Sequence, residues 1–410
     1  MYAKISSPRV SKEDNMKAAS LRERASVAPT LGERTRVLLF TNSVAVGGME
    51  EHVELLARHL DRDRFEVFAV CPDWQPTKPF SRSLAEVADH FALITPDRRH
   101  GGWRQLKETI KLARQMRHWR IQVIHMHSTT FRGQYYAFLA ARLAGARQIY
   151  VTEHLAPDQN IPGGERWHRD IFSRMVSGIV CVSQKNYQAR KTYLYTPPER
   201  TIVVNNGVDP DDFPPIAAET LAQLRALHQL PDDAQIVGTA VRFEPEKGLN
   251  YLIDSMPQIK AACPKAYFLM VGDGSLRDQL SAQADQLGMA DCICFVGFQS
   301  DPRPYLGLMD AFVLPVPVGS MSIGLLEAMA MRRAVVITFG GKGEAVIHGE
   351  SGFCAEPRNA DSIAEFVIQI LQQPDLKSAL GKAARQRIEA EFSAQQVARS
   401  LGALYSRSRQ

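Results

Sequence analysis

Apolar residues fall in short runs along this chain, separated by glycine-containing loops and amphipathic stretches, and the alternation covers nearly its whole length. Val37-Leu38-Leu39-Phe40 is the first run, of strand type, and it leads into Val46-Gly47-Gly48-Met49. From Glu51 to Leu60 the apolar residues stand at 53, 55, 56 and 60, which is helical spacing. The pattern predicts further strands from Phe65 to Cys71, from Val123 to His127, and over 148–152, 179–182 and 201–204. A basic helix from Trp103 to Trp119 precedes the strand from Val123 to His127. A second cycle opens at Ile236 to Val241 and continues with strands over 267–271, 293–296, 311–314 and 334–337. Apolar strands alternating with helices form parallel sheets covered on both faces. The run breaks at Asn205 to Asp209 and again at Pro214-Pro215. The expected organisation is therefore a flexible leader over 1–35 and two doubly wound α/β domains over 36–210 and 211–392. A last helix within 393–410 would pack back on the first domain. Ligands of such sheets bind beyond the carboxyl ends of the strands, so the cleft between the domains is the expected site.

Composition narrows the class. A chain of 410 residues is too long for one ordinary core, and 45% hydrophobic with 23% charged residues is a globular balance. No apolar stretch reaches the ~18 residues of a membrane span, and Met1 to Arg36 lacks the apolar core of a secretory signal. Cys71, Cys181, Cys263, Cys292, Cys294 and Cys354 form no CxxC pair, and most lie in apolar runs. Buried reduced thiols and a cytoplasmic location follow as expectations.

Charge is unevenly spread. Residues 1–208 carry 31 Lys and Arg against 20 Asp and Glu, whereas residues 209–410 carry 18 against 24. A basic first half suits an anionic partner, a membrane surface or a phosphate-bearing acceptor, and it equally suits an ordinary solvated surface. The excess concentrates in Arg98 to Arg120, where eight Lys and Arg residues face Glu108 alone and Trp103, Leu106, Ile110 and Trp119 offer an apolar side. Such a helix rests on the inner face of an anionic membrane, or else it buries its stripe on the sheet. Nucleic acid is not among the expected partners.

Several positions could carry chemistry. Gly47-Gly48 opens a helix, where backbone amides approach an anion, although a plain strand-to-helix turn needs the same residues. Arg242 and Lys247 stand five apart on the loop after the first strand of the second cycle. Two cations there suit a diphosphate leaving group, unless Glu244 and Glu246 neutralise them. Glu327 is one carboxylate among Leu, Ala and Met, which calls for a partner such as a ribose diol or a local cap. His125 and His127 share one face of a strand end, but with no third ligand nearby in sequence ordinary packing accounts for them. Asp209-Pro210-Asp211-Asp212 reads as a turn rather than a metal site. His154 follows an apolar strand, and its pattern alone leaves its role open. The loop from Ala156 to Asp170, with Pro162-Gly163-Gly164, could shape an acceptor pocket.

Taken in order, these motifs resemble glycosyltransferase family 4: Gly47-Gly48-Met49-Glu50, Val123 to His127, Thr152-Glu153-His154, Val204 to Asp209, Arg242 to Gly248, Val271-Gly272-Asp273-Gly274 and Leu325 to Ala330. Gly340-Gly341-Lys342-Gly343-Glu344 and Gly349-Glu350-Ser351-Gly352 extend the resemblance, which runs from about Arg36 to about Phe392. It implies a GT-B fold of two Rossmann-like domains facing a central cleft. It also implies a nucleoside-diphosphate-sugar donor, a glycan or lipid-linked acceptor, retention at the anomeric carbon, and no cofactor or catalytic metal. By position, Arg242 and Lys247 would grip the diphosphate and Glu327 the ribose. Gly47 and Gly48 would give the diphosphate room, and His154 would meet the sugar. Backbone amides around Ser322, Ile323, Gly324 and Leu325 would face the phosphate or sugar. One position departs from the pattern. Where the family carries the first Glu of its acidic pair this chain has Gly319, beside Ser320 and Val316. The activity expected is hexosyl transfer in cell-surface polysaccharide or related glycan synthesis. The rivals are a catalytically weak or silent nucleotide-sugar-binding protein, which Gly319 motivates, and a sugar-nucleotide epimerase of similar fold.

Overall fold

A computed structural model describes residues 34–43, 47–95, 103–128, 134–157, 160–317, 322–338 and 345–407. Residues 1–33 and Gly319 lie outside the described residues, as do Arg98 and Arg99. The first half runs β1 (Thr35–Thr41), α1 (Gly48–His59), β2 (Phe65–Pro72), α2 (Lys78–Val87), β3 (His90–Ile94), α3 (Trp103–His118) and β4 (Val123–Ser128). It continues with α4 (Tyr135–Ala144), β5 (Gln148–Glu153), α5 (Gly163–Met175), β6 (Gly178–Cys181), α6 (Gln184–Tyr193) and β7 (Thr201–Val203). The strands form one sheet in the order β3-β2-β1-β4-β5-β6-β7, and every pairing in it is parallel. Strict alternation of side chains explains why both faces are apolar. Val37 and Leu39 join one core layer with Val53, Leu56 and Val67, while Leu38 and Phe40 join the other with Leu112, Met116 and Phe138.

The second half runs α7 (Ala218–Leu227), β8 (Gln235–Ala240), α8 (Leu249–Ala262), β9 (Ala266–Val271), α9 (Arg277–Gln286), β10 (Ile293–Gly297) and α10 (Arg303–Leu308). It closes with β11 (Ala311–Leu314), α11 (Ile323–Ala330), β12 (Ala334–Thr338), β13 (Phe353–Ala355), α12 (Ala360–Gln372), α13 (Pro374–Glu391) and α14 (Ala394–Tyr405). Its sheet is again parallel, ordered β10-β9-β8-β11-β12-β13. Both sheets belong to one compact unit, Thr35–Gln410.

The chain passes between the sheets twice, side by side. Val208 N–H donates to the Phe392 carbonyl, and Ala394 N–H donates to the Val208 carbonyl. After the second passage α14 returns to the first sheet, where Val397, Ala398, Leu401, Leu404 and Tyr405 sit in the same core layer as Val37. Asp209 to Asp212 forms the expected turn, in which Asp209 accepts from Asp211 N–H and pairs with His59, while Asp212 pairs with Arg58. All six cysteines are free thiols; five are buried and Cys294 is half-buried. Among the described residues no helix is long and apolar enough to cross a membrane.

Candidate active site

Each sheet reverses its winding once, between β1 and β4 in the first and between β8 and β11 in the second. Loops leaving such a point diverge and open a crevice. Every candidate described residue lies on one of those exits or on a neighbouring strand end.

In the second sheet, β8 leads to Arg242 and, through a 3-10 turn at Pro245–Lys247, to α8. Gly248 closes that turn with φ +66°, and a side chain there would meet the Pro315 carbonyl at 2.3 Å. The cation loop is thus seated directly on the exit of β11. Glu244 is turned away, taking a 2.7 Å hydrogen bond from Ser275 Oγ. Glu246 reaches Arg242 only at 3.9 Å, with both side chains largely in solvent, a contact worth little. Local neutralisation of the two cations is therefore slight. Lys247 is half-buried, and its ammonium pKa is lowered by burial and by Arg242, against the pull of Glu246.

Helix α11 starts beside this loop. A side chain on Gly324 would meet the Ala240 carbonyl at 2.6 Å, so glycine lets the helix start abut the end of β8. Leu325 N–H is spent on the Ser322 carbonyl at 3.2 Å and its side chain is core, which corrects its inclusion among the ligand-facing amides. The Ile323 and Gly324 amides have no acceptor among the described residues, as the first turn of a helix dictates. Glu327, one turn on, takes no side-chain hydrogen bond from a described residue. Desolvation, then Glu51 and Asp301, push its carboxyl up to about 8, with Arg303 opposing.

The first sheet supplies the opposite wall. Gly47 is extended, and a methyl group would fit there; a side chain on Gly48 would meet Ile323 Cγ1 at 2.9 Å. Glycine at position 48 therefore lets the start of α1 abut the start of α11. His154 follows β5, its backbone N–H held by the Ser128 carbonyl at 2.9 Å. Behind it Glu153 is buried between Arg190 and Arg169, with Arg169 Nη2 at 3.1 Å. Burial raises the Glu153 carboxyl, but Arg190 and Arg169 outweigh it and hold it below the ordinary range. His127 Nδ1 and His154 Nε2 lie 3.3 Å apart, and His52 from α1 joins them, its ring centroid 5.1 Å from that of His154. Burial lowers all three imidazole pKa values, that of His52 to about 4, so they are neutral. Asn206 sits beside His52 without completing a hydrogen bond to it. His125 is committed elsewhere, to Tyr405 and to Thr152 Oγ1 at 2.7 Å.

Sequence spacing missed His52 and the Arg169–Glu153–Arg190 triad. His52 stands four residues after Gly48, one helical turn into α1, and that offset was the available signal. The expected loop over Ala156 to Asp170 is corrected in part, since α5 begins at Gly163 behind a Pro162 cap.

The family model for Glycosyltransferase Family 4 matches residues 46–212, and that for Glycosyl transferases group 1 matches residues 222–387. This chain is a family 4 glycosyltransferase. It is 29% identical over 305 residues to a glycogen synthase of Mycobacterium tuberculosis, covering 70% of this chain and 69% of that one. It is 28% identical over 270 residues to the GDP-mannose-dependent alpha-(1-6)-phosphatidylinositol monomannoside mannosyltransferase of the same organism, covering 62% and 68%. The glycosyltransferase shares its fold with a Rickettsia africae glycosyltransferase at a TM-score of 0.79 and 19% identity, covering 91% of this chain and 98% of that one. Anabaena HepE, crystallised with UDP and glucose, follows at 0.77 and 20%, covering 91% and 100%. The transferase therefore has the GT-B architecture, two Rossmann-like sheets with their strand exits lining the site.

Proposed function

We propose that this glycosyltransferase moves a hexose or hexose derivative from a nucleoside-diphosphate sugar to a glycan or glycolipid acceptor, with retention of configuration, in cell-surface polysaccharide or related glycan synthesis. The observation that carries the reading is the convergence of Arg242, Lys247, the open amides of Ile323 and Gly324, and unpartnered Glu327 on the β8 and β11 exits, facing Gly48. Arg242 and Lys247 stabilise the diphosphate as its charge grows on leaving, so no catalytic metal is required. The two amides add fixed positive dipoles at the same oxygens. Ionised Glu327 accepts the ribose hydroxyls, and Gly47 leaves the backbone open to the diphosphate. His154 hydrogen-bonds the sugar beside the reacting carbon, and the acceptor attacks from the face the diphosphate leaves. HepE holding UDP and glucose, and a relative that uses GDP-mannose, are in keeping with such a donor.

Donor turnover tests this. Purified protein and a Gly319→Glu variant are incubated with a panel of nucleotide sugars, with released nucleoside diphosphate and ligand-induced melting shifts recorded. Release by the wild-type chain with one donor is expected. Binding without release, restored by Gly319→Glu, would instead mark a nucleotide-sugar-binding protein.

The acceptor side favours a lipid surface. Helix α3 buries Leu112, Ala113 and Met116, yet leaves Trp103, Leu106 and Ile110 exposed among Lys107, Lys111, Arg114 and Arg117, and Leu139 and Leu143 of α4 are exposed too. Basic residues around exposed apolar ones suit the headgroup region of an anionic membrane. Co-sedimentation should rise with anionic lipid and fall for Trp103→Ala; binding indifferent to lipid charge would overturn it.

A further inference from the structure

Three imidazoles meet at the carboxyl end of the first sheet, from three separate elements. His52 comes from α1, His127 from the end of β4 and His154 from just past β5, and each offers a nitrogen within 4.8 Å of the other two. Register brings the last two together, since β4 and β5 pair with His127 opposite Thr152. The cluster is not a completed hydrogen-bond network. Among the described residues both ring nitrogens of His52 are buried with no completed hydrogen bond, whereas His125 beside it is bonded at both nitrogens. Buried polar atoms left this way ask for a ligand. A donor set of three nitrogens and no carboxylate selects borderline cations over Mg²⁺ or Ca²⁺, which prefer oxygen.

We propose that His52, His127 and His154 form a three-nitrogen site for a divalent cation of the Zn²⁺ and Co²⁺ class, with a coordination position left for a further ligand. Nitrogens bound at roughly 2.0–2.1 Å around a tetrahedral centre stand about 3.4 Å apart. His127 Nδ1 and His154 Nε2 already have that separation, at 3.3 Å, where the two rings share a hydrogen bond that the cation would replace. Rotation of the His52 ring, which completes no hydrogen bond among the described residues although Asn206 lies beside it, would bring in the third. Metal so held takes His154 away from the donor sugar and makes the cation an inhibitor. That consequence, unlike the site itself, rests on the role proposed above for His154.

The test is a Co²⁺ titration of the full chain in a thiol-free reducing buffer, read by visible d–d absorption. Saturation at one equivalent is expected, without the near-ultraviolet band of a thiolate ligand, and His52→Gln and His127→Gln should each weaken binding about tenfold or more. Imidazole-nitrogen NMR of the wild-type chain gives a reading that needs no variant: Zn²⁺ should shift three histidines together. No saturable binding, a thiolate band, or undiminished affinity in both variants would overturn the site. In donor turnover, Zn²⁺ should slow release and a chelator restore it. Metal binding with no slowing would leave the site standing and remove His154 from the donor.

Discussion

In the donor site proposed above, Lys247 and Glu327 carry the chemistry, and their surroundings make opposite demands. Lys247 is half-buried without an ion pair among the described residues, so it gains most when a diphosphate arrives. Lys247→Ala is expected to lower kcat by about 10²–10³-fold; turnover close to that of the wild type would remove Lys247 from leaving-group stabilisation. Glu327 is neutral in the free protein near pH 7, because its carboxyl lies at about 8. In the proposed site two ribose hydroxyls would donate best to the ionised form, so donor binding should deprotonate it. Affinity should therefore strengthen with pH, by up to about tenfold per unit below pH 8, and level off above it. Glu327→Gln should flatten that profile, which isothermal titration across pH would reveal. The stability effect runs the other way. A folded-state pKa above the ordinary 4.5 means that ionising Glu327 opposes folding, so its contribution declines as pH rises from 4.5 to 8.

Among the elements, the strand end that presents His154 is anchored by charge rather than by apolar packing. Glu153 lies between Arg169 of α5 and Arg190 of α6, each at most 5% exposed, so one carboxylate ties two helices to the sheet. Glu153→Ala would leave two buried cations unpaired and should cost about 3–5 kcal/mol, read as a fall in the urea midpoint. None of this was legible in the sequence, because the three residues are scattered over 153–190 and each alone resembles a surface charge. The strands were legible wherever both faces are buried, as in Val37-Leu38-Leu39-Phe40. His90–Ile94 carries the apolar run Phe91-Ala92-Leu93-Ile94 and was readable on the same grounds, whereas Phe353–Ala355 is too short at three residues to show a period. The site divides similarly. Residues on contiguous motifs, such as Arg242 with Lys247, could be read from spacing; His52 joins His127 and His154 only through the winding of the sheet.

At the scale of the whole molecule, the two sheets are neither independent nor in series. Two passages of chain, paired through Val208, join them, and α14 completes the core of the sheet that was begun first. Removing residues 393–410 deletes Val397, Leu401, Leu404 and Tyr405 from that core. At roughly 1.5–3 kcal/mol for each buried side chain, the loss rivals the about 5–15 kcal/mol that holds a typical domain together. The truncated chain should lose its cooperative melting transition, which calorimetry would show.

The returning helix also sets a timetable for synthesis. A ribosome emits the first sheet's strands long before Tyr405, and until that residue emerges His125 lacks its phenol partner and Phe65 its ring neighbour. The first-made half lacks part of its core until the last-made residues arrive, while the core of the second sheet draws on residues no later than Phe392. The core of the first sheet is thus complete only once the last helix has been made.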